Sequence, residues 1–403
     1  MPPLKKIVVL TDNRFWRRKI GSHQRIDKML NFLSLRSELN VYFVGEPKED
    51  DEQVALQHSV SILFSSQQER ERKEAYDEVL KVKNFFNLVM VKLTDLILSV
   101  FNKSPAVYTP TLYHFFNETE LAKFRAYLDE EKPDIILFEY TRLAYFIHSI
   151  SNKLKKMATL VIDTHDVGYR RYKSFVQNNK DSGLRINKSE EYGVLKQFDT
   201  VIAIQSDDLK TYQQLGLSNA VYVPHAVNFK QLKPTTNKVL QLGFLGSQMS
   251  SNVDGINWFI NQVLPTVQNM NFHVNVSGSV CSGVESKSDR VTLHGFVDNL
   301  ESFYEDNHVI INPIRFGSGL KIKNVEAVCF GVPLITTSIG AEGMDQCADA
   351  PFLVCDNVET WTNALTALSD SDYRNSLGDK CEKYANSHYS EKVAYQPLLD
   401  LLD

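Results

Sequence analysis

RFGSGLKIKNVEAVCFGVPLITTSIGAEGM, Arg315 to Met344, reads as a glycine-rich loop, a short helix, a glycine stop and a buried strand. Gly317 and Gly319 flank Ser318, so the backbone there can turn sharply and bring its N–H groups close to a ligand. The spacing predicts a helix from about Leu320 to Phe330, ended by Gly331 and barred from continuing by Pro333. Leu334 to Thr337 then has strand composition. Charge is the odd feature. Lys321 and Lys323 fall in the expected first turn, where the helix dipole disfavours cations by roughly 0.3–1 kcal/mol. An anion on the same N-terminus reverses that penalty. The stretch therefore predicts a phosphate site, with Glu326 one turn further along.

The pattern extends in both directions. Val239 to Leu245, Phe272 to Val276, Val291 to Leu293, Val309 to Ile311 and Phe352 to Val354 are further apolar runs alternating with helical stretches. Upstream, Ile7 to Leu10, Val41 to Val44, Ile135 to Phe138, Leu160 to Ile162, Val201 to Ile204 and Val221 to Val223 repeat the alternation. Short buried strands separated by helices predict α/β architecture with doubly wound parallel sheets. The expected division is a first Rossmann-like domain over 1–227, a polar linker over 228–238 containing Pro234, and a second domain over 239–385. A helical insertion is expected at about 67–129. Its apolar part, Phe85 to Phe101, reads either as a core-facing helix or as a surface helix touching a membrane or a lipid-linked acceptor.

Composition narrows the classes. At 403 residues, two domains are expected, and 43% hydrophobic with 23% charged residues describes a globular chain. A net charge of −5 excludes the broad basic field that nucleic-acid binding needs. The five cysteines (Cys281, Cys329, Cys347, Cys355 and Cys381) include no CxxC pair, which fits buried thiols in a reducing compartment rather than disulfides or zinc. MPPLKKIVVL runs straight into a strand and lacks the apolar length of a signal peptide. The expected location is the cytoplasm, with peripheral contact at the inner membrane face as an extension of the second reading of Phe85 to Phe101.

Arg315 to Met344 resembles the donor-binding signature of glycosyltransferase family 4, retaining enzymes of the GT-B fold. That family carries Glu-x7-Glu followed by Ala-x-x-x-Gly-x-Pro and a strand; Glu326, Ala327, Gly331 and Pro333 match, and Ser318 stands at the first Glu position. The Gly-Ser-Gly-Leu-Lys-x-Lys form is similar to a variant in which the second lysine faces the diphosphate. The resemblance implies two Rossmann-like domains facing a central cleft and a C-terminal helix, 386–403, crossing back to the first domain. It implies a nucleoside diphosphate sugar as donor substrate, no cofactor, no metal, and a glycan or lipid-linked saccharide acceptor in polysaccharide biosynthesis. Lys323 would stabilise the leaving diphosphate, Glu326 would accept from the donor ribose, and His165 would orient the sugar or act on the transition state. Gly246, Ser247, Arg315, Gly317, Ser318, Gly319, Leu320 and Lys321 would line the diphosphate, and Phe296 and Val297 the nucleobase. The loop after Gly246, QMSSN, holds no base, so the anionic load falls on Lys323.

Several candidates rest on the residues themselves. Asp163-Thr164-His165-Asp166 ends a strand, where such folds place ligands, and Asp163 or Asp166 could hold the His165 ring. Arg14, Trp16, Gly21 and Ser22 lie in a basic first loop, read either as solvated or as an acceptor surface in which the indole packs on a sugar. Glu139 ends another strand, as a cap, an acceptor ligand or a base; Asp166 joins it on the acceptor side. A binding or scaffold subunit of the same shape without turnover is the alternative, kept open by Ser318, and a nucleotide-sugar 2-epimerase is a third reading.

Overall fold

The computed structural model describes residues 3–18, 20–48, 51, 61–65, 112, 118–233, 235–267, 269–286 and 288–402. Of the insertion expected at about 67–129, residues 67–117, Phe85 to Phe101 among them, lie outside the described residues apart from residue 112. In chain order the elements are β1 (Lys6–Thr11), α1 (Gly21–Ser34), β2 (Glu38–Phe43), β3 (Ser61–Phe64), α2 (Glu118–Glu131), β4 (Ile135–Glu139), β5 (Thr159–Asp163), α3 (Gly168–Gln177), α4 (Lys188–Leu195), β6 (Thr200–Ala203), α5 (Ser206–Gln214) and β7 (Ala220–Tyr222). They continue as β8 (Leu240–Leu245), α6 (Ser250–Trp258), β9 (Phe272–Ser277), β10 (Val291–Gly295), α7 (Leu300–Glu305), β11 (Val309–Asn312), α8 (Ile322–Cys329), β12 (Leu334–Thr336), β13 (Phe352–Val354), α9 (Val358–Ala367), α10 (Ser371–His388), α11 (Glu391–Ala394) and α12 (Gln396–Leu402).

Two sheets result, ordered β3-β2-β1-β4-β5-β6-β7 and β10-β9-β8-β11-β12-β13. Their central pairings are parallel, for example Val9 with Val41, Val9 with Leu137, and Leu242 with Val274. Both orders are doubly wound, with the reversal between β1 and β4 in one sheet and between β8 and β11 in the other. The expected pair of Rossmann-like sheets is what forms. β3, too short and too closely flanked by polar residues to stand out in the sequence, adds a strand that the apolar runs do not announce.

The chain divides into two compact units: Met1–Asn13, Leu33–Ile202 and Leu215–Ala220 form one, and Arg14–Phe32, Ala203–Gln214 and Val221–Asp403 the other. Arg14–Phe32, early in sequence, thus packs with the second unit, and Tyr395 meets Phe32 there at 4.8 Å between ring centroids. The second unit buries apolar residues on both faces of its sheet. One core joins Val325, Val328 and Cys329 of α8 to Leu334, Phe352 and Tyr384. The other joins Leu242, Phe244 and Val274 to Phe259 and Trp361. The polar stretch read as a linker is irregular but pinned: Lys230 N–H donates to Cys329 O at 2.9 Å, and Leu232 is buried. All five cysteines are free thiols. Among the described residues no helix is long and apolar enough to cross a membrane.

Candidate functional site

In each unit a polar cluster sits where the strand order reverses, at the carboxyl ends of the strands. In the second unit the cluster spans the ends of β8 and β11. α8 starts at Ile322, two residues later than the sequence suggests, because Gly319 (φ +77°) and the extended Lys321 keep the loop open up to the cap. Gly331 (φ +74°) closes its other end, with Val332 N–H donating to Ala327 O and Gly331 N–H to Val328 O. Lys321 caps α8 without a side-chain hydrogen bond, so the first-turn N–H groups have no side-chain cap.

Seven of the eight residues of α8 are buried, Lys323 being the half-buried one. Its ammonium donates to Asn252 Oδ1 at 2.8 Å and lies 4.2 Å from the Phe244 ring centroid. It forms no ion pair among the described residues. Burial, and then the neighbouring Lys321, push its pKa down to about 7. Lys321 is better compensated, donating to Gly319 O at 2.5 Å and standing 3.6 Å from Glu342. Asn252 in the first turn of α6 is an unforeseen member of the site. It accepts a hydrogen bond from Lys323 on Oδ1 and donates from Nδ2 to Ser247 O at 3.0 Å, tying the β8 loop to α8.

Glu326 is 3% exposed. Its Oε2 accepts from the Tyr304 hydroxyl at 3.1 Å, while Oε1 lies 3.8 Å from His225 Nε2. Burial holds the His225 imidazole near pKa 4, so it is neutral at pH 7. Among the described residues, Oε1 of Glu326, both nitrogens of His225 and Oγ of Ser318 are buried without hydrogen-bond partners. Buried polar groups are nearly always satisfied, so the open Glu326 oxygen facing His225 is able to take a polar ligand. Tyr304 and His225 were not legible as site residues, since their only signal is a contact across 22 and 101 residues of sequence.

Other expected donor residues are placed differently. The Gly246 amide donates to Ser277 O at 3.0 Å, so of the two amides expected to face a diphosphate only that of Ser247 remains. Gly278 (φ +95°) permits that loop, because a Cβ on it would lie 2.2 Å from Gly246 O. Arg315 forms a two-pronged pair with Asp254, at 2.9 and 2.8 Å, which removes it as a helper to Lys323. Leu320 lies in the apolar core rather than against a ligand. Gly317 (φ +139°) shapes the loop as expected. Phe296 is 57% exposed, while Val297 packs on the core. Asn299 caps α7, its side chain accepting from the N–H groups of Glu301 and Ser302.

In the first loop, Trp16 is 2% exposed and set edge-on to Phe15, so its face is not offered to a sugar. Arg14 precedes that turn, half-buried. Gly21 and Ser22 open α1, and a Cβ on Gly21 would lie 2.9 Å from Ile322 Cβ. The glycine therefore serves the approach of α1 to α8, which accounts for it without a sugar.

The first unit gathers its cluster at the ends of β1, β4 and β5. His165 Nε2 stands 2.6 Å from Glu139 Oε2 and 3.8 Å from Asp163 Oδ2. Of the carboxylates expected to hold the ring, Asp166 instead pairs with Arg171 at 3.2 Å. Tyr140 stacks on His165, centroids 3.9 Å apart and planes 9° off parallel. Arg142 lies 4.0 Å from the Tyr140 centroid and grips Asp12 with two hydrogen bonds. Tyr140 and His165 both hold positive φ, +75° and +62°, a conformation that costs of order 1–3 kcal/mol each outside glycine. Glu139, Asp163 and His165 offer three metal-ligand atoms within 4.8 Å of one another. In this structure the 2.6 Å contact is a hydrogen bond between the imidazole and the carboxylate.

Comparison with known proteins bears on the family and the fold. Residues 240–371 match the family model described as glycosyl transferases group 1. A curated protein of Klebsiella pneumoniae, an uncharacterised 44.6 kDa protein in the cps region, is 27% identical over 184 residues, which cover 42% of this chain and 44% of that protein. The matched stretch is thus under half the length of the curated relative. Among solved structures, TarM superposes with a TM-score of 0.72 at 12% identity, covering 100% of this chain and 99% of that one. HepE of Anabaena, in complex with UDP and glucose, gives 0.66 at 12% identity, with 99% of both chains covered. Sucrose-phosphate synthase of Thermosynechococcus elongatus gives 0.67 at 14% identity, with 98% of both covered. These likenesses establish the fold, that of the GT-B proteins.

Proposed function

We propose that this chain, whose residues 240–371 match the group 1 glycosyl transferases, is a retaining glycosyltransferase that moves a sugar from a nucleoside diphosphate sugar to a hydroxyl acceptor. The observation that carries the reading is Lys323: a half-buried ammonium, without an ion pair among the described residues, at the uncapped start of a helix. Desolvation makes that cation costly unless an anion arrives, and a diphosphate supplies one that also meets the first-turn N–H groups. As the sugar departs, charge builds on the diphosphate. Lys323 and the helix terminus then stabilise the transition state electrostatically, the role a metal plays elsewhere. Glu326 Oε1, left open by Tyr304, accepts from the donor ribose, and the exposed Phe296 ring offers a face to the base. HepE bound to UDP and glucose, and TarM bound to UDP and α-GlcNAc-glycerol, support a uridine diphosphate donor and a saccharide acceptor. The cps-region relative supports a role in polysaccharide assembly.

The direct test is a thermal-shift panel of nucleoside diphosphates and their sugars, followed by an assay for released nucleoside diphosphate with saccharide acceptors. A ligand at 100 times its Kd stabilises the fold by about 2.7 kcal/mol. Stabilisation by one diphosphate family together with turnover is expected. No shift with any member would defeat the reading. Binding without turnover would favour the scaffold alternative, for which Ser318 in place of the first motif glutamate is the specific observation.

A further inference from the structure

We infer that Tyr304 is the positioning residue that makes Glu326 selective for the hydroxyls of a ribose, by holding Oε2 of the carboxylate and so aiming Oε1 at them. The inference deepens the donor reading and rests on Glu326 as the ribose acceptor. Tyr304 lies in α7 and is 1% exposed. Its hydroxyl stands 3.1 Å from Glu326 Oε2 and 3.2 Å from Lys323 O. A phenol has one proton to donate, and here two acceptors from one turn of α8 face it. Lys323 and Glu326 are three residues apart on that helix and so share a face. One hydroxyl thus registers the carboxylate against the turn that carries the ammonium.

Among the described residues Tyr304 is the one hydrogen-bond donor to Glu326. Oε1 has no partner, and His225 Nε2, 3.8 Å from it, stands beyond hydrogen-bond distance. The terminal torsion of a glutamate is broad rather than three-welled, so without the phenol nothing fixes which oxygen faces a ligand. The ring that delivers the hydroxyl is itself fixed. Its centroid lies 5.0 Å from that of Phe330, the residue that caps the end of α8, and 5.2 Å from that of Phe303. Burial, and then the neighbouring Glu326, hold the phenol pKa well above its ordinary value, so the hydroxyl keeps its proton and stays a donor. Its neutrality matters too. A cation in its place would neutralise the carboxylate, whereas a phenol orients it and leaves its charge to strengthen the bonds that Oε1 accepts. Ribose hydroxyls bring the protons that Oε1 lacks. A sugar without them leaves a buried acceptor unsatisfied, which is the costly case.

The test measures the affinity of the full chain for UDP and for 2′,3′-dideoxy-UDP by calorimetry. The wild type should prefer UDP by about 10–100-fold, the worth of hydrogen bonds to a charged acceptor. Tyr304→Phe keeps the ring and removes only the hydroxyl. It should cut the preference to within a few-fold while binding the dideoxy nucleotide as the wild type does. Glu326→Gln should lose the preference as well, and adding Tyr304→Phe to it should change nothing further, because the two groups act as one unit. A merely structural hydroxyl predicts instead that Tyr304→Phe weakens both nucleotides alike and leaves the preference intact; that result overturns the inference while the ribose reading stands. A wild type with no preference defeats the ribose reading of Glu326 and the inference with it. Should Tyr304→Phe fail to fold, the double variant decides. A folded Tyr304→Phe/Glu326→Gln chain ties the hydroxyl to the carboxylate, whereas a double variant that also fails makes the hydroxyl a strut of the fold and overturns the inference.

Discussion

Lys323→Ala lowers kcat/KM for transfer on the order of 10²-fold, the cost of removing one charged contact to a leaving group, while the melting temperature holds or rises. The two halves of that result have one cause. Lys323 is desolvated enough to have its pKa pushed down to about 7, with no ion pair among the described residues. In the free protein the charge is a burden, and deleting it relieves strain. In the transition state the same charge faces an anion, and deleting it removes stabilisation that water does not replace. Arg315→Ala supplies the contrast, changing kcat/KM by a few-fold at most, because its guanidinium is engaged by Asp254. Steady-state kinetics and thermal melts on both variants check this. An Arg315 effect equal to that of Lys323 would move the anion site to the other end of the loop.

Nucleoside diphosphate affinity falls by up to tenfold per pH unit above about pH 7, the pKa of Lys323 in the free protein. The sign follows from linkage. A bound diphosphate favours the ammonium and raises its pKa above the free value. Below pH 7 both free and bound forms carry the proton, so affinity is flat in this group. Above pH 7 the free lysine loses its proton and binding must take one up, which weakens affinity until the bound pKa is reached. The phosphate itself is fully ionised in that window, its second pKa being about 6. Calorimetric titrations between pH 7.5 and 9.5, in buffers of different ionisation enthalpy, should show uptake approaching one proton in the wild type and none in Lys323→Ala. Equal uptake in both would assign the titration to another group.

The fold was readable because its strands are short apolar runs between helical patterns. Ile135 to Phe138 and Phe352 to Val354 fall within β4 and β13 with little or no shift. The start of α8 was misplaced by two residues because Leu320 and Lys321 are good helix formers, and only Gly319 and the extended Lys321 backbone, tertiary outcomes, hold them out. Lys323 and Glu326 could be named from the charge pattern of the stretch and its resemblance to a donor-binding signature. Their partners could not: Asn252 reaches Lys323 across 71 residues of sequence, and the His225 that faces Glu326 sits in an unremarked stretch after β7. The basic first loop misled for a related reason. Trp16 looks like a sugar platform by composition, yet packing against Phe15 buries it. Glu139 and Asp163 were each visible as polar strand ends, and it took the parallel register, which sets them side by side, to show which carboxylate holds His165.

The central claim is that the start of α8 grips a diphosphate. A crystal structure of the chain with UDP tests it most directly. The account predicts diphosphate oxygens at about 3 Å from Lys323 Nζ and from the first-turn amides of α8, with the ribose hydroxyls on Glu326 Oε1. UDP bound elsewhere, with Lys323 still held only by Asn252, would contradict it.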